Sequence, residues 1–248
     1  MPDGLPLLSQ HERNPLLTST YGTGEMILDA ARKGCRRFLI GIGGSATNDG
    51  GTGMLEALGF TFTDKNGARM LGLCGGSTKD IYGIDSSTVP QDILDSEFII
   101  ACDVDTPFCG PEGAAAVFGP QKGATPETVT QLEEGMQHLE SVIRKEFGIS
   151  LNTVKGSGAA GGLGGAFKAA LNARLYKGID MVLDTIGFDE IIKGATLDTV
   201  GDHQFRLSEK IGDMDESAYD TTYKYFDLVV TDEDMDGSLE VSGVKSKE

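Results

Sequence analysis

Glycine decides the fold class of this chain, because it gathers where strands hand over to helices. The sequence holds 35 glycines in 248 residues, about twice the ~7% usual for a globular protein. They concentrate at 41–53, 110–123 and 156–165. The first cluster follows the apolar run 36–42 and precedes a short helical pattern through Met54, Leu55 and Leu58. The third feeds the helical stretch 166–171. Without a period of three, this glycine is not collagenous. Strands alternating with helices predict an α/β layered sheet, and open α/β sheets bind ligands outside their strand ends.

The rest of the pattern agrees. Met26, Ile27, Ala30 and Ala31 share one face of a helix that Gly34 stops. The run 36–42 reads as a strand buried on both faces, and 98–102 as another. Residues 60–63 alternate as a strand ending at Asp64, with Lys65, Asn66 and Gly67 as its turn. Thr125-Pro126-Glu127 starts the longest helix with a threonine cap, a first-turn proline and an acid at the positive dipole end. Residues 227–231 form a late strand.

Charge excludes some functions. The formal net charge is −17, which speaks against gripping nucleic acid or an anionic membrane. Residues 196–248 hold 14 acidic against 5 basic residues, so composition divides the chain into 1–195 and an acidic segment 196–248. No apolar run reaches the ~20 residues of a membrane span, and no secretory leader is expected at the start. Four cysteines without metal spacing suggest reduced thiols and a cytoplasmic protein.

Four constellations could carry chemistry. Gly41, Gly43 and Ala46 fit G-x-G-x-x-A after a strand, with Asp64 at the end of the next strand, as a dinucleotide site requires. Asn48-Asp49, however, sets a carboxylate where pyrophosphate would approach, which suits a hydroxyl, a proton transfer or magnesium better. A plain helix cap at Asp49 is the structural alternative. Asp103 and Asp105 share a strand tip and could bind magnesium or take a proton, or merely cap a turn. Lys122, flanked by glycines, is placed for phosphate contact or for solvent. The loop containing Gly161 and Gly162 could cradle phosphate with backbone N–H groups, or serve close helix packing. The EF-hand-like run Asp232, Asp234, Asp236, Gly237 has Gly243 at the position of the bidentate glutamate, which argues against calcium.

Together the motifs resemble one family, the bacterial-type glycerate kinases. The matching pieces are Asn14-Pro15-Leu16, Tyr21-Gly22-Thr23-Gly24-Glu25, the run from Ile40 to Gly51, Ala101-Cys102-Asp103-Val104-Asp105, Cys109-Gly110-Pro111, the run from Phe118 to Ala124, and the run from Gly158 to Gly164. The resemblance implies an enzyme that phosphorylates glycerate with ATP and magnesium, in a cleft between two α/β domains. The chain would correspond to the inserted domain of that fold plus part of the nucleotide-side domain. Gly43, Gly44, Ser45, Thr47, Asn48, Gly161 and Gly162 are then expected at substrate or phosphate. Asp49, Asp103, Asp105 and Lys122 are expected in catalysis, with Asp103 and Asp105 also as magnesium ligands.

Two departures bear on activity. The family opens with an Asp-Ser-Phe-Lys-Gly segment that this sequence lacks. Its late Thr-Gly-Glu-Gly-Arg-x-Asp motif is replaced by Thr231-Asp232-Glu233-Asp234-Met235-Asp236, and acids in place of glycine and arginine repel phosphate. The expectation is a shortened member, either completed by another polypeptide or a homo-oligomer, or binding a small acid or partner without catalysis. A nicotinamide-dependent dehydrogenase is the lower alternative.

Overall fold

The computed structural model describes residues 4–178, single positions at Asp180, Leu183 and Gly187, and the backbones of four later strands. Contacts divide the chain into two compact units, Met1–Met181 and Val182–Glu248.

In the first unit the chain runs through α1 (Tyr21–Arg32), β1 (Arg37–Gly41), α2 (Thr52–Ala57), β2 (Thr61–Thr63), β3 (Arg69–Met70), β4 (Gly83–Asp85), α3 (Gln91–Leu94) and β5 (Glu97–Ala101). It continues through α4 (Ala114–Phe118), α5 (Pro126–Phe147), α6 (Ala159–Leu171) and β6 (Arg174–Tyr176). Strands β1, β5 and β6 form a parallel sheet in that order. Phe38 and Phe98 stack on its inner face at 4.9 Å, and Phe167 of α6 tilts onto Phe98 at 5.9 Å. These rings seed a core that α1, α2, α5 and α6 complete with residues such as Ile27, Met54, Met136 and Leu163. Helix α5 follows its sequence signals: Thr125 Oγ1 accepts from Thr128 N at 3.3 Å, Pro126 opens the helix, and Gly148 ends it in the left-handed region.

Three expectations need correction. Strand β1 is not buried on both faces. Among the described residues it lies at the sheet's edge, and Leu39 is 59% exposed. Met26, assigned to the inner face of α1, is likewise exposed. Nor do β1, α2 and β2 make a dinucleotide-binding unit, because β2 belongs to a separate antiparallel sheet ordered β3, β2, β4. Asp64 turns the β2–β3 hairpin, accepting from Asn66 N and Ala68 N at 2.8 and 2.9 Å. An acid spent in a hairpin turn in another sheet cannot hold a ribose beside β1.

In the second unit, β7 (Thr196–Thr199), β8 (Phe205–Ser208), β9 (Tyr225–Thr231) and β10 (Glu240–Ser246) form an antiparallel sheet in sequence order. The late strand expected at 227–231 lies within β9. Residues 232–239, which carry the altered family motif and most of the EF-hand-like run, lie outside the described residues.

Candidate functional site

The site is built on the loop between β1 and α2. Its rear half is anchored by Asp49, whose fully buried carboxylate accepts from Thr20 N and Thr20 Oγ1, both at 2.8 Å, from Gly51 N at 3.0 Å and from Gly53 N at 3.2 Å. Thr20 Oγ1 in turn accepts from Met54 N at 2.9 Å. One carboxylate therefore caps α2 and ties it to the start of α1. Burial pushes the Asp49 pKa up, against the pull of these hydrogen bonds. This is the helix-cap alternative realised with four donors instead of one.

The third glycine cluster closes over this half. Ala160, Gly161 and Gly162 all take left-handed backbone angles at the head of α6, unusual for the alanine. Gly50 N donates to Gly161 O at 2.9 Å. A Cβ on Gly161 would lie 2.1 Å from Thr47 O, and one on Gly162 2.7 Å from Gly50 Cα. Gly161 and Gly162 thus serve loop-on-loop packing, and neither lines the cavity in front.

That cavity, of about 340 Å³, is walled by Gly43, Gly44 and Ser45 from the first loop and by Ala101, Cys102 and Asp103 from the end of β5. Gln121 and Lys122 come from the turn before α5, and Ala159 and Ala160 from the head of α6. Lys122 is 2% exposed. Its ammonium donates to Ser45 Oγ at 3.0 Å and to Thr47 O at 2.7 Å. Burial lowers its pKa to about 8, with the Asp49 charge acting in the opposite sense. A buried cation held against a hydroxyl on a cavity wall is suited to meeting negative charge.

The acids at the tip of β5 separate. Asp103 lines the cavity, and its Oδ1 accepts from Gly178 N at 2.5 Å. Asp105 points elsewhere, pairing with Lys155 at 3.0 Å on an exposed surface. Among the described residues no group of three His, Cys, Asp or Glu side chains could hold a metal. Magnesium needs less, since it binds through one or two carboxylates and the substrate's phosphates, and Asp103 fits as such a donor. Thr47 and Asn48 are buried behind Ser45. The Thr47 hydroxyl and both amide atoms of Asn48 have no partner among the described residues.

Sequence reasoning missed Thr20, the partner of Asp49, and the cavity walls supplied by Cys102, Gln121 and Ala160. Thr20 stands next to the matched Tyr21 motif, but nothing in its spacing points to a carboxylate 29 residues on. No helix among the described residues is long and apolar enough to cross a membrane, and the four cysteines are free.

Comparison with known proteins places this architecture. The model of the glycerate kinase family matches residues 2–205. The chain is similar to a glycerate kinase of Halalkalibacterium halodurans, with 44% identity over 199 residues that cover 80% of this chain and 52% of the relative. It is similar to the glycerate 2-kinase of Escherichia coli K12 at 42% identity, with the same coverage. A solved structure from Salmonella typhimurium LT2, provisionally named glycerate kinase 2, superposes with a TM-score of 0.73 at 39% identity, covering 77% of this chain and 50% of that one. The chain thus spans about half the length of the curated relatives it matches. With the α/β fold, the paired glycine loops and the family match in agreement, the chain belongs to the glycerate kinase family.

Proposed function

We propose that this chain carries the phosphoryl-transfer site of an ATP-dependent glycerate kinase acting in the cytoplasm. The observation that supports the reading best is Lys122, a buried cation that touches Ser45 on the wall of a cavity also lined by Asp103. Phosphoryl transfer asks a protein mainly for positioned oxygens and charge stabilisation, and little covalent chemistry. Here the bond between the terminal phosphorus and its bridging oxygen breaks as one to a glycerate hydroxyl oxygen forms. The backbone of Gly43 and Gly44 and the Ser45 hydroxyl receive the moving phosphoryl group, and Lys122 balances its charge. The hydroxyl proton passes to Asp103. Bound with the nucleotide's phosphates, magnesium would supply further charge neutralisation. Thr47 and Asn48, expected at the substrate, do not line the cavity; Thr47 holds Lys122 through its carbonyl, and Asp49 works from behind as a positioning residue that keeps Ser45 and Lys122 in register. Gly161 and Gly162 hold that loop down. Asp105, engaged with Lys155, takes no part in the transfer or in holding magnesium.

A coupled assay of ADP release with glycerate and Mg-ATP tests this. The expected result is glycerate-dependent turnover that Lys122→Met and Asp103→Asn each reduce at least about a hundredfold. Near-normal turnover in either variant would sink its assignment. Because the chain spans about half of its relatives, a second outcome has support: ligand binding without turnover, with activity returning when a polypeptide or second copy supplies the remaining half.

A further inference from the structure

Lys122 combines three properties that a surface lysine lacks. The first is a fixed nitrogen. Its Nζ donates to Ser45 Oγ at 3.0 Å and to Thr47 O at 2.7 Å, which commits two of its protons. Once the third proton leaves, the lone pair takes the one position that no acceptor fills among the described residues.

The second property is a desolvated amine at a cavity wall. Lys122 lines the 340 Å³ cavity beside apolar groups that include Ile42, Val104 and Phe118. Burial holds its pKa at about 8 despite the Asp49 charge. At pH 7.5 roughly a quarter of such an amine is neutral, against about one part in a thousand for an ordinary lysine. Burial thus discharges part of the cation, which charge balance alone does not call for. It does activate a lysine for addition to a carbonyl carbon.

The third property is a proton relay. The Ser45 hydroxyl touches the nitrogen, and the Asp103 carboxylate lines the same cavity. Among the described residues Asp103 and Lys122 are the only charged groups on its wall. Joining an amine to a carbonyl moves protons from nitrogen to oxygen, and a hydroxyl in contact with that nitrogen can carry them.

We infer that Lys122 is a reversible covalent site for small carbonyl acids, forming an imine with the oxidised counterpart of the hydroxy acid that occupies this cavity. The class of acid rests on the phosphoryl-transfer reading: glycerate becomes a 2-oxo acid or an aldehyde acid when one of its hydroxyl-bearing carbons is oxidised. Nζ adds to the carbonyl carbon, and the π pair of the C=O bond goes to oxygen, which takes a proton to give a carbinolamine. The C–O bond then breaks, water leaves with both amine protons, and the nitrogen lone pair closes the C=N bond. No oxidant or reductant is consumed. The imine occupies the amine that the transfer uses as a cation, so a carbonyl acid halts phosphorylation until hydrolysis frees the lysine. Reduction of such an acid is the class of reaction that supplies glycerate. The site therefore stays closed while that reduction is incomplete.

Incubating the 248-residue chain with hydroxypyruvate and sodium cyanoborohydride, followed by peptide mass mapping, tests the assignment. Cyanoborohydride turns an imine into a stable secondary amine. It leaves no label at Cys102, the thiol on the same wall, which burial keeps protonated. At pH 7.5 the label at Lys122 is expected to exceed that at an exposed lysine such as Lys155 at least about tenfold. Excess glycerate should protect Lys122 alone. Without the reductant, hydroxypyruvate should inhibit turnover, and dilution should restore it. Label spread over exposed lysines with Lys122 unmodified overturns the site, and so does the absence of any adduct at millimolar probe. Glycerate-dependent turnover together with an unlabelled Lys122 removes the imine and leaves the phosphoryl-transfer reading. Labelling of Lys122 that glycerate does not suppress, in a chain without phosphorylation, keeps the imine and counts against that reading.

Discussion

The loop between β1 and α2 contains two kinds of glycine, and they answer different needs. At Gly41, Gly43 and Gly44 an added Cβ would meet nothing. At Gly50 it would lie 2.4 Å from Leu139, at Gly51 2.3 Å from Ala166 and at Gly53 2.2 Å from Ser19. The opposing Gly161 and Gly162 are as tightly enclosed. The front of the loop is therefore bare on its open side, while the back is pressed into the core and fastened by Asp49. Glycine content alone does not separate a surface kept clear from a joint packed too closely for side chains.

Substitution can break this comparison at either end. The largest effect is expected at Asp49. Asp49→Ala strands four donors and removes the counter-charge near Lys122, which should cost about 3–5 kcal/mol in denaturant unfolding. Gly161→Ala meets the Thr47 carbonyl and a left-handed backbone together, so a loss of about 3 kcal/mol is expected. A neutral result at Gly161 would dissolve the distinction between front and back.

Lys122 sharpens the comparison through pH. Its folded pKa, about 8, lies below the ordinary value of 10.5. Between these values the unfolded chain holds more protons than the folded one, so stability rises with pH over that window. The burial penalty is felt in full below pH 8. Turnover should change in the other direction, falling as the ammonium loses its proton above pH 8. Lys122→Met should abolish this lysine's part of the stability rise, as read from melting curves across pH 7–10.

Smaller effects belong to the open surfaces. Asp105→Asn breaks an exposed pair with Lys155 and should cost under about 1 kcal/mol, with turnover unchanged. Gly43→Ala should leave stability level or raise it by about 0.5 kcal/mol, because alanine restricts the unfolded chain. Its ligand affinity should fall all the same, a split between stability and binding that the rear glycines cannot produce.

Much of the fold could be read from local signals. Thr125, Pro126 and Gly148 bound α5 because capping chemistry acts within a few residues, and Asp64 to Gly67 marked a hairpin for the same reason. The apolar run at β1 did not reveal that its strand lies at an edge, since Leu39 reads alike whether covered or open. Lys122 and Asp103 were legible as candidates, and both reach the cavity wall. That Asp49 faces inward and Asp105 faces Lys155 was not legible, because a carboxylate's partner is chosen by tertiary approach. Spacing put Asp103 and Asp105 on one strand tip. It carried no information about Gly178, whose N–H holds Asp103 from 75 residues away.

The contacts of Lys122 also constrain how the site comes into being. Its ammonium reaches Ser45 and Thr47 across 77 and 75 residues of chain, and the α6 loop that covers Thr47 comes later still. Contacts this remote in sequence carry a large loop-closure entropy and form slowly. Helix α5, with its own caps, can gain structure well before them. During refolding the helical signal should therefore recover ahead of ligand binding, and the lysine should stay hydrated until the two glycine loops meet. Nascent chain ending short of α6 would already display α5, while Lys122 still waited for its cover.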